Sequence, residues 1–194
     1  MPDKEFWDSH YNAGQTGWDL GSVSPPLKAY IDQISDKSLR ILIPGAGNSY
    51  EALHLLEQGF MDVTVLDIAP TVIRRLTEKT KNLSRGRLHA IEEDFFRHTG
   101  KYDLILEQTF FCALEPERRE EYARHMHELL GDGGKLTGIL FNTVFEFGPP
   151  PFGGYAGDYK KLFAPYFNFR TWAACYNSYP ARAGSEWFMI LEKK

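Results

Sequence analysis

Gly45 and Gly47, separated by Ala46, follow the apolar run Leu39-Arg-Ile-Leu-Ile-Pro44, and a second run, Val63-Thr-Val-Leu, ends in Asp67, twenty residues after Gly47. An apolar run, a Gly-x-Gly turn, a helix-like stretch and a second run ending in a carboxylate describe a nucleoside-binding βαβ unit. The glycines let the backbone approach the ligand and the carboxylate takes the ribose hydroxyls. The dinucleotide fingerprint asks for a third glycine three places after the second, where helix and strand pack closely. Tyr50 stands there. Its bulk argues against NAD or FAD, and no Gly-Lys-Ser/Thr follows the strand to make a P-loop. S-adenosylmethionine, which carries no pyrophosphate to be cradled, is the nucleoside cofactor that remains.

Other residues extend this chemistry. Asp94 and Glu107 each follow an apolar run at the carboxyl end of an expected strand, the edge where open α/β sheets bind ligands; a carboxylate there can equally cap the next helix. A sulfonium is a cation that aromatic faces attract, and Trp7, Tyr11 and Trp18 supply three, spaced four and then seven apart. That spacing suits one helical face, and a plain core stripe would look the same. Phe110, Phe111, Phe145, Phe147, Phe152 and Tyr155 lie at or after strand ends. They suit a dry acceptor pocket, with about half of them expected to be ordinary core. No side chain is assigned as catalytic beyond the candidates Trp18 and Tyr155. Arg170 and Arg182 are weaker candidates for holding an anionic acceptor. His125 and His127, two apart on a helix, face different directions, and His10, His54, His89 and His98 show no ligand spacing; no metal site is expected. Cys112 reads as a small buried hydrophobe rather than a nucleophile.

The elements that must position these residues follow from periodicity. Strand-like runs are Leu39 to Pro44, Asp62 to Asp67, Arg87 to Glu92, Tyr102 to Glu107, Lys135 to Asn142, Phe167 to Tyr176 and Glu186 to Glu192. Helical patterns lie between them at Ser49 to Gly59, Pro70 to Asn82, Glu115 to Leu130 and near Asp158 to Phe163. The third of these begins with Pro116 and stops at Gly131-Asp-Gly-Gly134, a proline-start and glycine-stop pattern. Alternating β and α units imply an α/β fold, a seven-stranded, mostly parallel sheet with helices on both faces.

The chain has 194 residues, of which 43% are hydrophobic and 25% charged, enough for one domain with a substantial core. One domain over 1–194 is expected, with a Rossmann-like core at 39–194. A dehydrogenase would need further residues for a substrate domain. The net charge of -4 and the lack of a basic block give nucleic acid or an anionic membrane no electrostatic support, so the expected partner is a small-molecule acceptor. Two isolated cysteines, Cys112 and Cys175, and a start, Met-Pro-Asp-Lys-Glu, without an apolar signal region point to the cytoplasm.

Pro44-Gly-Ala-Gly47, Leu66-Asp-Ile-Ala69, Glu107-Gln-Thr-Phe-Phe-Cys-Ala-Leu-Glu-Pro-Glu-Arg118, Trp7-Asp-Ser-His-Tyr11, Trp18-Asp-Leu-Gly21 and Gly148-Pro-Pro-Pro-Phe152 together resemble the class I S-adenosylmethionine-dependent methyltransferases of the thiopurine methyltransferase type. That group includes thiol and halide methyltransferases. Members usually carry Cys where Ala46 stands, Gly-Tyr-Asp where Ser49-Tyr-Glu51 stands, and Asp where Glu107 stands. The resemblance implies an N-terminal flap at 1–38 covering the cofactor, with Trp7, Tyr11 and Trp18 in it, and backbone approach at Gly45 and Gly47. It implies ribose binding by Asp67, adenine flanked by Asp94 and Phe95, and Glu107 and Gln108 near the methionine part. Trp18, Phe110, Phe111, Phe152 and Tyr155 are then the acceptor-side candidates. The expected activity is S-methyl transfer from S-adenosylmethionine, leaving S-adenosylhomocysteine, by a monomeric or weakly associating enzyme. The expected acceptor is a small soft nucleophile, first a thiol of thiopurine-like or other small type. A halide or hydrosulfide acceptor, and a homologue that binds the cofactor without turnover, stay open as alternatives. An NAD-linked oxidoreductase is disfavoured by Tyr50.

Overall fold

The computed structural model describes residues 3–194; Met1 and Pro2, part of the expected flap 1–38, lie outside the described residues. The chain divides into two compact units, Met1–His98 and Thr99–Lys194, and each has its own logic. The first begins with helices α1 (Lys4–Ala13) and α2 (Pro25–Ile31), then runs β1 (Arg40–Pro44), α3 (Tyr50–Glu57), β2 (Asp62–Asp67), α4 (Pro70–Thr80), β3 (Leu88–Glu92) and a 3-10 turn at Phe95–Arg97. Its strands lie in the order β3-β2-β1 and all pair in parallel, with Pro44 opposite Leu66 and Asp67 opposite Glu92. Ile41, Leu42, Ile43, Val63, Val65 and Leu66 are buried, as both faces of a covered parallel sheet demand. Ala52, Leu55 and Leu56 of α3 and Val72 and Leu76 of α4 are the buried apolar residues of these helices. This register sets the ends of β1, β2 and β3 side by side, so the Gly45–Gly47 loop, Asp67 and Asp94 leave the sheet at one edge.

The second unit contains β4 (Tyr102–Gln108), 3-10 turns at Phe111–Ala113 and Pro116–Arg118, α5 (Arg119–Leu129), β5 (Leu130–Phe141), α6 (Ala156–Phe163), β6 (Phe167–Ala174) and β7 (Glu186–Lys193). Its strand order is β4-β5-β7-β6. β4 and β5 are parallel, whereas β7 runs antiparallel to both β5 and β6. The seven strands are therefore mixed, though mostly parallel. The segment from β6 to β7 carries only a short 3-10 turn at Pro180–Arg182, and a connection without a crossover helix joins antiparallel strands. Tyr122, Phe111, Phe163 and Phe167 fill the core of this unit, with Phe111 edge-on to Tyr122 and to Tyr159 at 5.1 Å.

One expectation is corrected. Gly131-Asp-Gly-Gly134 does not form a loop after α5: the strand starts at Leu130 and runs through it. Pairing slips from Tyr102 opposite Leu130 to Leu104 opposite Lys135, so the glycines form an irregularity in the ladder. A side chain on Gly134 would lie 3.0 Å from the Tyr102 carbonyl, and glycine permits that approach. The α-helix also starts at Arg119 rather than Glu115, because Pro116 opens a separate 3-10 turn.

Gly138 in β5 faces Glu107 in β4, and an added Cβ would lie 2.4 Å from the Glu107 Cβ. Gly138→Ala is expected to destabilise the protein by roughly 1–3 kcal/mol through overpacking, read as a lowered Tm in thermal denaturation; an unchanged Tm would show that β4 and β5 are less tightly apposed.

Candidate functional site

The chain leaves β1 through Gly45 and Gly47, whose φ angles are 58° and 51°, left-handed values that glycine adopts without cost. The Ala46 N–H donates to the Leu66 carbonyl at 2.9 Å, tying the loop to β2. Asp67, at the end of β2 and 7% exposed, completes that tie. Its Oδ2 accepts from the Gly47 N–H at 2.9 Å and its Oδ1 from the Ala69 N–H at 2.8 Å. Burial pushes this carboxyl up to about 6, against the downward pull of those hydrogen bonds. Each oxygen keeps lone-pair capacity after these contacts, which is the acceptor set two neighbouring hydroxyls need.

Trp7, Tyr11 and Trp18 meet above this loop. Trp18 lies edge-on to Trp7 at 5.5 Å and to Tyr11 at 5.8 Å, and its Nε1–H donates to Tyr11 Oη at 3.4 Å. Tyr11 packs with Ala69 and Val72. Its Oη lies 2.7 Å from where a Cβ on Gly47 would stand, so Gly47 is also the space the flap occupies. Burial and the nearby Asp67 charge raise the Tyr11 phenol.

Polar contacts hold the flap, and they involve residues that motif reading passed over. Asp8 Oδ1 accepts from the Thr71 N–H at 2.8 Å, capping α4, whose own N-cap position is Ala69. Asn12 bonds Thr71 Oγ1 at 3.1 Å and Arg75 donates to the Tyr11 carbonyl at 2.9 Å. Asp19 Oδ2 accepts from Asn48 Nδ2 in the glycine loop and from Tyr50 Oη, the latter at 3.3 Å. Tyr50, the residue in the place of a third glycine, thus supports the flap. The signal for Asp8 and Asp19 was the Trp-Asp pair that occurs at 7–8 and again at 18–19. Asp94 Oδ1 accepts from the Phe96 N–H at 3.0 Å and caps the 3-10 turn, while Phe95 is buried beside Phe96.

In the second unit, Glu107 is 0% exposed. Its Oε1 accepts from the Phe110 and Phe111 N–H groups at 2.8 and 2.9 Å, and its Oε2 from Tyr122 Oη. The carboxylate thereby shapes the turn after β4 instead of ending free at the strand edge. Gln108 Oε1 is buried without a hydrogen-bond partner, and Thr109 sits at φ 60°, strained for a β-branched residue. Phe111 is core, whereas Phe110 is half-buried near Tyr122. The Phe152 N–H donates to the Cys112 carbonyl at 2.6 Å, and Arg119 holds the Phe152 and Gly153 carbonyls at 3.0 and 3.2 Å. Phe145 bridges Phe141 and Phe147 at 5.0 and 5.1 Å; Phe147 and Tyr155 are 60% and 55% exposed. Arg170 is paired with Glu192 and Arg182 with Glu186. Burial pushes the Cys112 thiol up to about 12, leaving it a poor nucleophile. Among the described residues no cluster of three metal-ligating side chains occurs, and no helix is long and apolar enough to cross a membrane.

Known proteins resemble this chain in sequence and in fold. The family model for thiopurine S-methyltransferase (TPMT) matches residues 2–184. Probable thiol methyltransferase 2 of Arabidopsis thaliana is 34% identical over 162 residues, covering 82% of this chain and 71% of that protein. Thiocyanate methyltransferase 1 of Brassica oleracea is 28% identical over 162 residues, with the same coverage. Among solved structures, the Burkholderia thailandensis 1,6-didemethyltoxoflavin-N1-methyltransferase with bound S-adenosylhomocysteine superposes with a TM-score of 0.78 at 19% identity, covering 98% of this chain and 87% of that one. That likeness establishes a Rossmann-like class I methyltransferase fold.

Burial holds the carboxyls of Glu51, Asp67, Glu107 and Glu186 above their ordinary range. A raised folded-state pKa favours the protonated form, so the stability it contributes is full below the unfolded value and is lost as pH rises through the folded one. With Asp67 near 6 and Glu107 near 7, the Tm of the ligand-free protein is expected to fall between pH 5 and about 7.5 in a pH series at fixed ionic strength. A rising Tm across that window would contradict these assignments.

Proposed function

Because the chain belongs to the thiopurine S-methyltransferase family, we propose that its acceptor is a small thiol, bound beside the aromatic turn after β4, and that Asp67 and the flap hold its cofactor. The protein is an S-adenosylmethionine-dependent S-methyltransferase. When bound, S-adenosylmethionine supplies an electrophilic methyl group on a sulfonium centre. One observation carries the cofactor assignment: a buried two-oxygen acceptor, Asp67, anchored on Gly47, which the Tyr11 ring touches while Trp7 and Trp18 pack with that ring. The open lone pairs of Asp67 suit ribose hydroxyls, the rings suit a cation, and left-handed Gly45 and Gly47 allow backbone approach. Gln108, with its orphaned buried Oε1, suits a donor on the methionine part. Phe95 is assigned to the adenine side. Asp94 is assigned there through the turn it caps.

The protein's own part in the reaction is alignment and drying. A sulfur anion and a sulfonium lose charge together on the way to the transition state, so walls that exclude water favour it and in-line placement supplies most of the rest. Phe110 and Phe152, half-buried and anchored through Tyr122 and Arg119, are the acceptor-side walls of the second unit, with Tyr155 at the exposed rim. An anionic acceptor such as thiocyanate or a halide is the second reading, favoured by the likeness to a thiocyanate methyltransferase. A monomer working in the cytoplasm on small molecules belongs to the same proposal, supported by the net charge of -4 and two isolated cysteines.

Calorimetric titration should show saturable binding of S-adenosylmethionine and S-adenosylhomocysteine and none of NAD. Asp67→Ala should weaken binding of both adenosyl compounds by roughly 1–3 kcal/mol through lost hydrogen bonds, with unaltered affinity removing Asp67 from the site. Because protonation near pH 6 removes acceptor capacity from Asp67, cofactor affinity should also decline as pH falls below about 6. Release of S-adenosylhomocysteine on adding small thiols, but not amines or alcohols, tests the acceptor class.

A further inference from the structure

Glu107 sits against a water-sized cavity of about 10 Å³ lined also by Thr109, Phe111, Cys112, Ile139, Leu140, Phe141 and Tyr159. The lining is buried except at Thr109 and Phe141, which are half-buried and lie at the carboxyl ends of β4 and β5. A cavity of that volume with polar partners takes one water. An ionised carboxylate accepts about four hydrogen bonds, and Glu107 receives three, from Phe110, Phe111 and Tyr122.

We propose that Glu107 is the proton acceptor for thiols that reach the enzyme protonated, taking the S–H proton through the single water its cavity accommodates. This rests on the thiol reading above. The S–H bond breaks and leaves its electron pair on sulfur. One proton passes to the water as another passes from the water to a Glu107 oxygen, giving a thiolate and a neutral carboxylic acid. The thiolate then enters the methyl transfer, and Glu107 returns the proton to solvent after the product leaves.

Three observations favour Glu107 over its neighbours. First, a glutamine carbonyl would still accept from Phe110 and Phe111, and its amide would pair with the Tyr122 oxygen once that phenol turned its own O–H elsewhere, without a charge to bury. A carboxyl here carries a desolvation cost that an amide avoids, and proton uptake is what the carboxyl adds. Second, burial sets Glu107 at about 7 while Tyr122, Tyr159 and Cys112 are pushed upward, and Arg119 and Arg182, which act on Cys112, are cations with no proton to accept. These are the titratable and charged groups that α5, α6, the turn after β4 and the segment before β7 bring to the cavity, and an efficient base has its pKa near the working pH. Third, strain and an unpaired polar atom collect at the next two residues, Thr109 and Gln108, a pattern of functional sites.

The test compares Glu107→Gln with the native enzyme on two aromatic thiols: benzyl mercaptan, protonated at neutral pH, and 4-nitrothiophenol, already ionised. The loss in kcat/KM is expected to be at least tenfold larger for benzyl mercaptan. Equal losses on both thiols, or none on either, would assign Glu107 to turn structure alone and overturn the proposal. If the native enzyme turns over neither thiol, the thiol reading itself fails, and this assignment with it. Tyr122→Phe removes a hydrogen bond that favours the ionised carboxylate, so it should move the pH midpoint for benzyl mercaptan upward; an unmoved midpoint counts against Glu107. Independently of activity, infrared difference spectra of the ligand-free protein should show a buried carboxylic-acid band appearing as pH falls through about 7. In Glu107→Gln the component with a midpoint near 7 should be missing while the Asp67 component near 6 remains; persistence of the component near 7 would overturn the assignment.

Discussion

The first unit is organised around the carboxylate of Asp67. Two loops leaving different strands present main-chain N–H groups, Gly47 after β1 and Ala69 after β2, to the two oxygens of one side chain. A buried N–H without an acceptor is costly, and an amide side chain would meet one of these donors with another donor. The carboxylate is therefore required even though burial opposes its charge. Once Gly47 is held in its left-handed conformation, the surface on which Tyr11 rests is set, and the flap has a defined seat.

That flap divides its work between apolar and polar contacts. Trp7, Tyr11 and Trp18 pack against Ala69 and Val72, which favours closure but specifies position weakly because apolar burial is non-directional. Position comes from Asp8 at the first turn of α4 and from Asp19 between Asn48 and Tyr50. Asp8 supplies a cap that the local sequence lacks, since Ala69 has no acceptor, so α4 and α1 complete each other. The Trp-Asp pair repeated in the flap puts a ring and an anchor together at both of its contact points.

The second unit uses a buried carboxylate differently. Glu107 gathers two consecutive N–H groups and a phenol, which bends the chain sharply after β4 and presents Phe110 outward while burying Phe111. Arg119 then ties this turn to the Phe152–Gly153 segment through two carbonyls while stacking on the Phe111 and Tyr159 rings. A charged pair of anchors inside an aromatic wall keeps that wall in one shape. Their hydrogen bonds are directional where ring packing is not.

Much of this was legible in the chain. Period-two and period-3.6 patterns located every strand and the principal helices, because burial of one face is written locally in residue order. Gly45, Gly47 and Asp67 were legible for the same reason: a left-handed turn and a strand-end carboxylate are short-range features. The glycine run at 131–134 was misleading, because glycine marks a loop and a distorted strand equally, and only pairing with Tyr102 and Leu104 decided between them. Asp94 could be read as a ligand group or a helix cap, and the nearby Phe96 N–H makes it a cap. Glu107 could be read as a strand-end ligand, whereas contacts with Phe110, Phe111 and, fifteen residues away, Tyr122 engage it. Residue order alone determined the α/β architecture, the glycine loop after β1 and the aromatic cluster of the N-terminal segment. Tertiary structure decided which carboxylates cap and which anchor, because a carboxylate's role depends on the donors around it, and these are set by chain segments far away in sequence.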